Sequence, residues 1–130
     1  MSIAELTGGE LKGVRVLVVE DEPETLDLIA LTLKSAGAEV ETASGAEDAL
    51  ARLGPPAPDV VVSDLQMPGL DGYALMRRLQ ELPDPPVAIA LSASASLDDA
   101  RRALEAGFRV HVAKPVAMLD LVEAIRALVP

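Results

Sequence analysis

Five short runs of aliphatic residues alternate along this chain with longer segments of helical periodicity, and no other feature constrains the fold as strongly. The runs are Arg15-Val16-Leu17-Val18-Val19, Ala38–Thr42, Val60–Asp64, Val87–Leu91 and Phe108–Val112. The first and third are unbroken and bounded by turn residues, as strands covered on both faces are. Ala38–Thr42 alternates and is short, which suits an outer strand. Between the runs, Pro23 opens a helix to about Ser35 that Gly37 closes, with Leu26, Ile29, Ala30 and Leu33 on one face. Ser44-Gly45-Ala46-Glu47 predicts a capping box for a helix through Leu53, stopped by Gly54. Asp71 caps a helix through about Leu82, Ser96-Leu97-Asp98-Asp99 opens one that ends at Gly107, and Val116–Leu128 forms the last. Strands alternating with helices in this way dictate an α/β fold with a parallel sheet and helices on both faces.

A length of 130 residues fits one domain with its own core. Met1–Gly13, with Gly8-Gly9 inside it, reads as a lead-in or linker. Tyr73 and Phe108 are the sole aromatics, so the core is aliphatic and alanine-rich. The formal charge of −10 disfavours nucleic acid and anionic membrane surfaces as direct partners. The lack of cysteine removes disulfides, thiolate metal sites and thiol nucleophiles together. No apolar run reaches membrane-spanning length and no signal-peptide segment opens the chain, so a cytoplasmic location is expected.

In a parallel sheet the C-terminal strand ends share one edge, where open α/β folds place their ligands. Glu20 and Asp21 follow the first run, Asp64 ends the third, Ser92 follows the fourth and Lys114 the fifth. Taken singly, each has an ordinary explanation. Glu20-Asp21-Glu22 suits a helix start through the macrodipole alone, Asp64 suits a turn, Ser92 a loop and Lys114 a solvated surface. Taken together they form an ordered set. Three carboxylates at one edge repel unless a cation sits among them, and Mg²⁺ is the natural occupant, leaving room for a phosphate oxygen. Asp64 is then an ionised nucleophile able to form an aspartyl-phosphate. Ser92 supplies a hydroxyl and Lys114 a mobile positive charge for the phosphoryl oxygens.

The chain resembles the receiver domain of bacterial two-component response regulators from about Val14 to Leu128. The motifs that carry the resemblance are Val-Leu-Val-Val-Glu-Asp-Glu-Pro (16–23), Val-Val-Val-Ser-Asp-Leu-Gln-Met-Pro-Gly-Leu-Asp-Gly (60–72), Ala-Leu-Ser-Ala (90–93) and Ala-Lys-Pro (113–115). It implies a receiver domain over 14–130 with a flavodoxin-like, doubly wound five-stranded sheet of order 2-1-3-4-5. It implies that Asp64 accepts a phosphoryl group from a histidine kinase or a histidine phosphotransfer protein and then switches conformation toward an output partner. It implies further that the domain catalyses only its own phosphorylation and dephosphorylation. By the same resemblance Asp21 ligates Mg²⁺ directly, with Mn²⁺ as a substitute, Glu20 acts largely through water, and the Gln66 carbonyl is a further ligand. Ser92 and Lys114 meet phosphoryl oxygens, Gln66 and Ser94 sit where the phosphoryl lifetime is tuned, and Lys114-Pro115 is expected to be cis. A monomer or weak homodimer is expected.

Some positions depart from the family pattern. Glu20 and Ser92 are common variants of Asp and Thr. His111 stands where many receivers carry Tyr or Phe, and reads either as a packed strand residue or as a pH-sensitive form of that aromatic switch. Other classes remain open at this stage. A haloacid-dehalogenase-like phosphatase or phosphotransferase also attacks through a strand-end Asp, but wants a second Asp where Gln66 stands. A flavodoxin-type FMN binder needs a donor-lined loop where Glu20-Asp21-Glu22 would repel phosphate. A receiver fold kept as a non-phosphorylated docking module is the third. The lead-in and the His-Val-Ala-Lys-Pro segment are similar to receivers of hybrid histidine kinases.

Overall fold

The computed structural model describes residues 6–67, 69, 71–93 and 96–129. Pro68 and Leu70 of the central motif, Ser94, and part of the lead-in lie outside the described residues. The elements follow in strict alternation: β1 (Arg15–Val19), α1 (Pro23–Ser35), β2 (Glu39–Ala43), α2 (Ala46–Ala51), β3 (Val60–Asp64), α3 (Gly72–Gln80), β4 (Val87–Ser92), α4 (Leu97–Ala106), β5 (Val110–Ala113) and α5 (Met118–Leu128). The strands form one parallel sheet in the order β2-β1-β3-β4-β5.

Strand parity sorts the side chains into two cores. Val16, Val18, Val60, Val62, Ile89 and Leu91 meet Ile29 and Leu33 of α1 and Leu121, Val122 and Ile125 of α5. Leu17, Val19, Val61, Ala88 and Ala90 meet Ala46 and Ala49 of α2, Leu75, Met76 and Leu79 of α3, and Ala103 of α4. The small residues of this second core let three helices sit close to the sheet, and Phe108 fills the space they leave. Each fully buried aliphatic side chain contributes about 1.5–3 kcal/mol, so two such layers dominate the stability. Leu11 of the lead-in is fully buried in the first core, and its N–H donates to the Ala36 carbonyl at 2.7 Å.

Several boundaries differ from the sequence reading. The Ser44 capping box does not form. Gly45 is the N-cap without a side-chain bond, and the Ser44 N–H instead donates to Asp48 Oδ2 at 3.3 Å. α2 stops at Ala51 rather than Leu53. The Arg52 N–H turns back onto the Ala49 carbonyl at 3.0 Å and closes the helix there. β5 starts at Val110 rather than Phe108, because the Phe108 N–H closes α4 on the Ala103 carbonyl after Gly107 turns at φ +113°. β2 begins at Glu39 for a similar reason, since the Ala38 N–H bonds the Leu33 carbonyl. α3 ends at Gln80 and α5 starts at Met118, each inside the expected span. Lys114-Pro115 is cis, as expected, and Pro55-Pro56 is cis as well.

Candidate functional site

The register sets the heights of the strand-end residues. Val19 pairs with Ser63, so Glu20 and Asp64 stand level on adjacent strands. Asp64 pairs with Leu91, which puts Ser92 one rung beyond it, and Ser92 pairs with Ala113, which puts Lys114 a further rung up. Parity also matters. Glu20, Asp64 and Lys114 fall on the α1/α5 side of the sheet, whereas Ser92 falls on the α2–α4 side.

Lys114 lies two strands from Asp64, roughly 10 Å in sheet spacing, a span its long stem can cross. Its Nζ donates to Asp64 Oδ2 at 3.1 Å and to Glu20 Oε1 at 2.6 Å. The other oxygens of both acids are also engaged: Asp64 Oδ1 accepts the Gln66 N–H at 3.0 Å and Glu20 Oε2 accepts the Glu22 N–H at 3.3 Å. Glu20 is fully buried and Asp64 is 4 % exposed, whereas Asp21 is exposed. One oxygen from each of Glu20, Asp21 and Asp64 lies within 4.8 Å of the others. The expected acids and Lys114 are therefore brought together, with Ser92 buried beside them at the tip of β4.

Electrostatics follow from this crowding. Burial raises the Glu20 carboxyl from 4.5 to about 6, with Lys114 pulling it down and Asp64 pushing it up. Burial alone would lower the Lys114 ammonium, but its bonds to Glu20 and Asp64 outweigh that and raise it. The two directions agree: one cation faces two carboxylates, and each carboxylate faces another. A hard divalent ion fits such an oxygen set by its chemistry, since acids with one shared ammonium still carry excess negative charge.

The resemblance did not anticipate that Lys114 bridges Glu20 as well as Asp64. It also left aside Gly72, where a Cβ would collide with the Asp64 carbonyl oxygen and approach Leu65 Cα at 2.9 Å. The Asp-Gly pair is the sequence signal, since Asp71 Oδ1 caps α3 by accepting the Ala74 N–H at 2.9 Å. His111 of β5 pairs with Ala90 of β4 and is half-buried, and its Nε2 is buried without a hydrogen-bond partner among the described residues.

Comparison with known proteins agrees with this arrangement. The family model described as the response regulator receiver domain matches residues 16–126. An uncharacterized 14.6 kDa protein of Leptolyngbya boryana is 41 % identical over 113 residues, covering 85 % of this chain and 86 % of its own. The transcriptional regulatory protein PrrA of Mycobacterium leprae is 36 % identical over 88 % of this chain, which spans 49 % of that protein. Hybrid signal transduction histidine kinase D of Dictyostelium discoideum is 36 % identical over 92 % of this chain, which spans only 8 % of it. Among solved structures, the Francisella response regulator 1452 receiver domain superposes with a TM-score of 0.84 at 27 % identity, covering 89 % of this chain and 96 % of its own. On the family match, these relatives and the shared sheet order, the chain belongs to the response regulator receiver domain family of two-component signalling.

Proposed function

We propose that the domain spanning 14–130 is a phosphoacceptor that carries a phosphoryl group on Asp64 and signals by the change of shape that follows. The observation that carries this reading is the Lys114 ammonium lying on both Asp64 and Glu20 at the sheet edge, with Asp21 completing the acid cluster. Glu20, Asp21, Asp64 and the Gln66 carbonyl would hold Mg²⁺, or Mn²⁺ in its place. When bound, the ion would neutralise the acids and the incoming phosphoryl oxygens. Asp64 is the nucleophile: its oxygen attacks phosphorus while the bond from phosphorus to the donor's imidazole nitrogen breaks, with the electron pair leaving on nitrogen. Lys114 is already charged and within reach, so it can shift from the carboxylates to a phosphoryl oxygen. Ser92 supplies its hydroxyl to another.

The protein donor is a histidine kinase or a histidine phosphotransfer protein. The matched relatives include a protein named as a hybrid signal transduction histidine kinase and others named as transcriptional regulatory proteins, which supports a donor of this class. The domain acts on itself only, through phosphorylation and slow hydrolysis. Drawing Ser92 toward the phosphoryl group moves the β4–α4 connection and repacks the α4–β5 face toward an output partner. A switch of this kind needs only a few kcal/mol of differential contact. The proposed setting is the cytoplasm, with the domain a monomer or weak dimer; no helix among the described residues is long and apolar enough to cross a membrane. The test is intact-mass measurement after incubation with Mg²⁺ and a small phosphodonor. One added phosphoryl group is expected, absent from Asp64→Ala and from samples with a chelator. An unmodified wild-type mass under all donors would overturn the reading.

A further inference from the structure

Large apolar side chains are exposed on α1 and α4 alone among the described residues. On α4 they are Leu97 and Leu104, and the charges between them are spent within the helix. Arg101 pairs with Asp98 at 2.9 Å and reaches Glu105 at 3.9 Å. α1 differs. Ile29 and Leu33 are buried, yet Leu28 is 44 % exposed and Leu31 60 %. At about 100° per residue, Glu24, Leu28, Leu31 and Ser35 fall on one outward stripe, with Asp27 and Lys34 along one edge of it. Glu24, Asp27 and Lys34 are all exposed, and none has an ion pair or hydrogen bond among the described residues. Lys34, in the last turn, is the helix's one cation.

We propose that this stripe is a self-association surface, on which a second copy of the chain docks with its α1 antiparallel. A two-fold axis passing between residues 29 and 30 sets Leu28 against the partner's Leu31 and Glu24 against the partner's Ser35, and each contact occurs twice. The charges then match. With a rise of about 1.5 Å per residue, Lys34 lies about 3 Å along the axis from the partner's Asp27 and about 1.5 Å from the partner's Glu24. The two-fold maps each edge of the stripe onto the same edge of the partner, so Asp27 and Lys34 meet across it. A parallel pair would instead set acid against acid and lysine against lysine. Antiparallel macrodipoles add to the preference. One helix on one helix buries less than the roughly 1,200 Å² of a stable interface, and each copy carries a charge of −10, so the dimer is weak, with a Kd on the order of 0.1 mM. It needs neither metal nor phosphoryl group, and so stands or falls apart from the phosphoacceptor reading.

The test is sedimentation of the whole chain in chelator, from about 10 µM to about 1 mM. Wild type should pass from monomer to dimer across that range. Leu31→Glu should stay monomeric throughout, because it sets a charge against the partner's Leu28. Leu31 faces solvent in the single chain, so this variant's circular dichroism and unfolding midpoint should match wild type. Lys34→Glu should weaken the dimer about three- to tenfold, the loss of a symmetric set of exposed ion pairs. The chain has no cysteine, so introduced thiols report the register. Glu24→Cys mixed with Ser35→Cys should cross-link under mild oxidant. Either variant alone should not, since its two thiols lie about 16 Å apart along the axis. A monomer at the highest concentration overturns the inference. So does a dimer unchanged by Leu31→Glu, which places the contact on another face, or one unchanged by Lys34→Glu. Cross-links in the single variants overturn it as well, by showing a parallel pair.

Discussion

Glu20 and Lys114 divide the electrostatic work at the sheet edge, and the division is measurable by pH. The folded state holds the Glu20 proton more tightly than an ordinary carboxyl near 4.5 does, because burial raises it to about 6. The stability tied to that proton is fully present below pH 4.5 and is lost as pH rises through 6. The difference is worth about 2 kcal/mol. Urea unfolding in a chelator between pH 4 and 7 should show wild type losing that much relative to Glu20→Gln, in which the group cannot titrate. Parallel profiles for the two would mean that Glu20 ionises as freely as a surface acid. Lys114→Ala should cost about 2–3 kcal/mol at pH 7, since it strands two buried carboxylates together, and less at pH 5, where Glu20 is largely protonated. Denaturant midpoints at the two pH values check the sign. A cost that grows in acid would contradict the bridge seen at 2.6 and 3.1 Å.

At the scale of elements, the contact between the start of α3 and the tip of β3 decides whether Asp64 is presented correctly. Gly72 sits against the Asp64 carbonyl and the Leu65 Cα, and its own N–H donates to the Leu65 carbonyl at 3.2 Å. Backbone cannot give way as a flexible side chain can. Gly72→Ala should therefore destabilise by about 2–3 kcal/mol and slow adduct formation, because relief of the clash moves the acceptor strand. Gly54→Ala is the control, since nothing lies within 4 Å of a Cβ there, and its effect should stay within about 0.5 kcal/mol. Equal effects from the two would show that α3 docks less closely than its backbone indicates. Much of this architecture is legible in the chain. The spans of β1 and α1 match their sequence signals because apolar runs and Pro23 leave little freedom. Strand parity alone puts Glu20, Asp64 and Lys114 on one side. The errors cluster where backbone donors have rival acceptors. Phe108 and Ala38 look like strand residues by hydropathy, yet each spends its N–H closing the preceding helix. The Ser44 box failed because Asp48, one residue past the expected partner, took the bond. The Arg102–Tyr73–Phe108 stack joins residues from three elements, and no local pattern announces it.

Across the whole molecule, the site occupies one rim of the sheet while the lead-in secures the other. Leu11 precedes β1, is fully buried against the α1/α5 core, and ties its backbone to the end of α1. Gly37 at the end of α1 lies so close to the Gly8 carbonyl that a Cβ would clash there, so residues 8–11 and the α1–β2 turn pack backbone to backbone. Five-residue strands separate the rims by about 16 Å. Perturbations that far apart with no shared partner behave almost independently. Leu11→Ala removes a side chain from a closed pocket and should cost about 2–4 kcal/mol in urea unfolding. The rate of phosphoryl transfer to Asp64, measured well below the unfolding midpoint, should stay within about twofold of wild type, since Leu11 is tied to the end of α1 at the rim opposite the acids. A loss of transfer rate in parallel with stability would mean that the two rims are coupled through α1. In that case Glu22 and Asp21 at the start of that helix would be its route to the site.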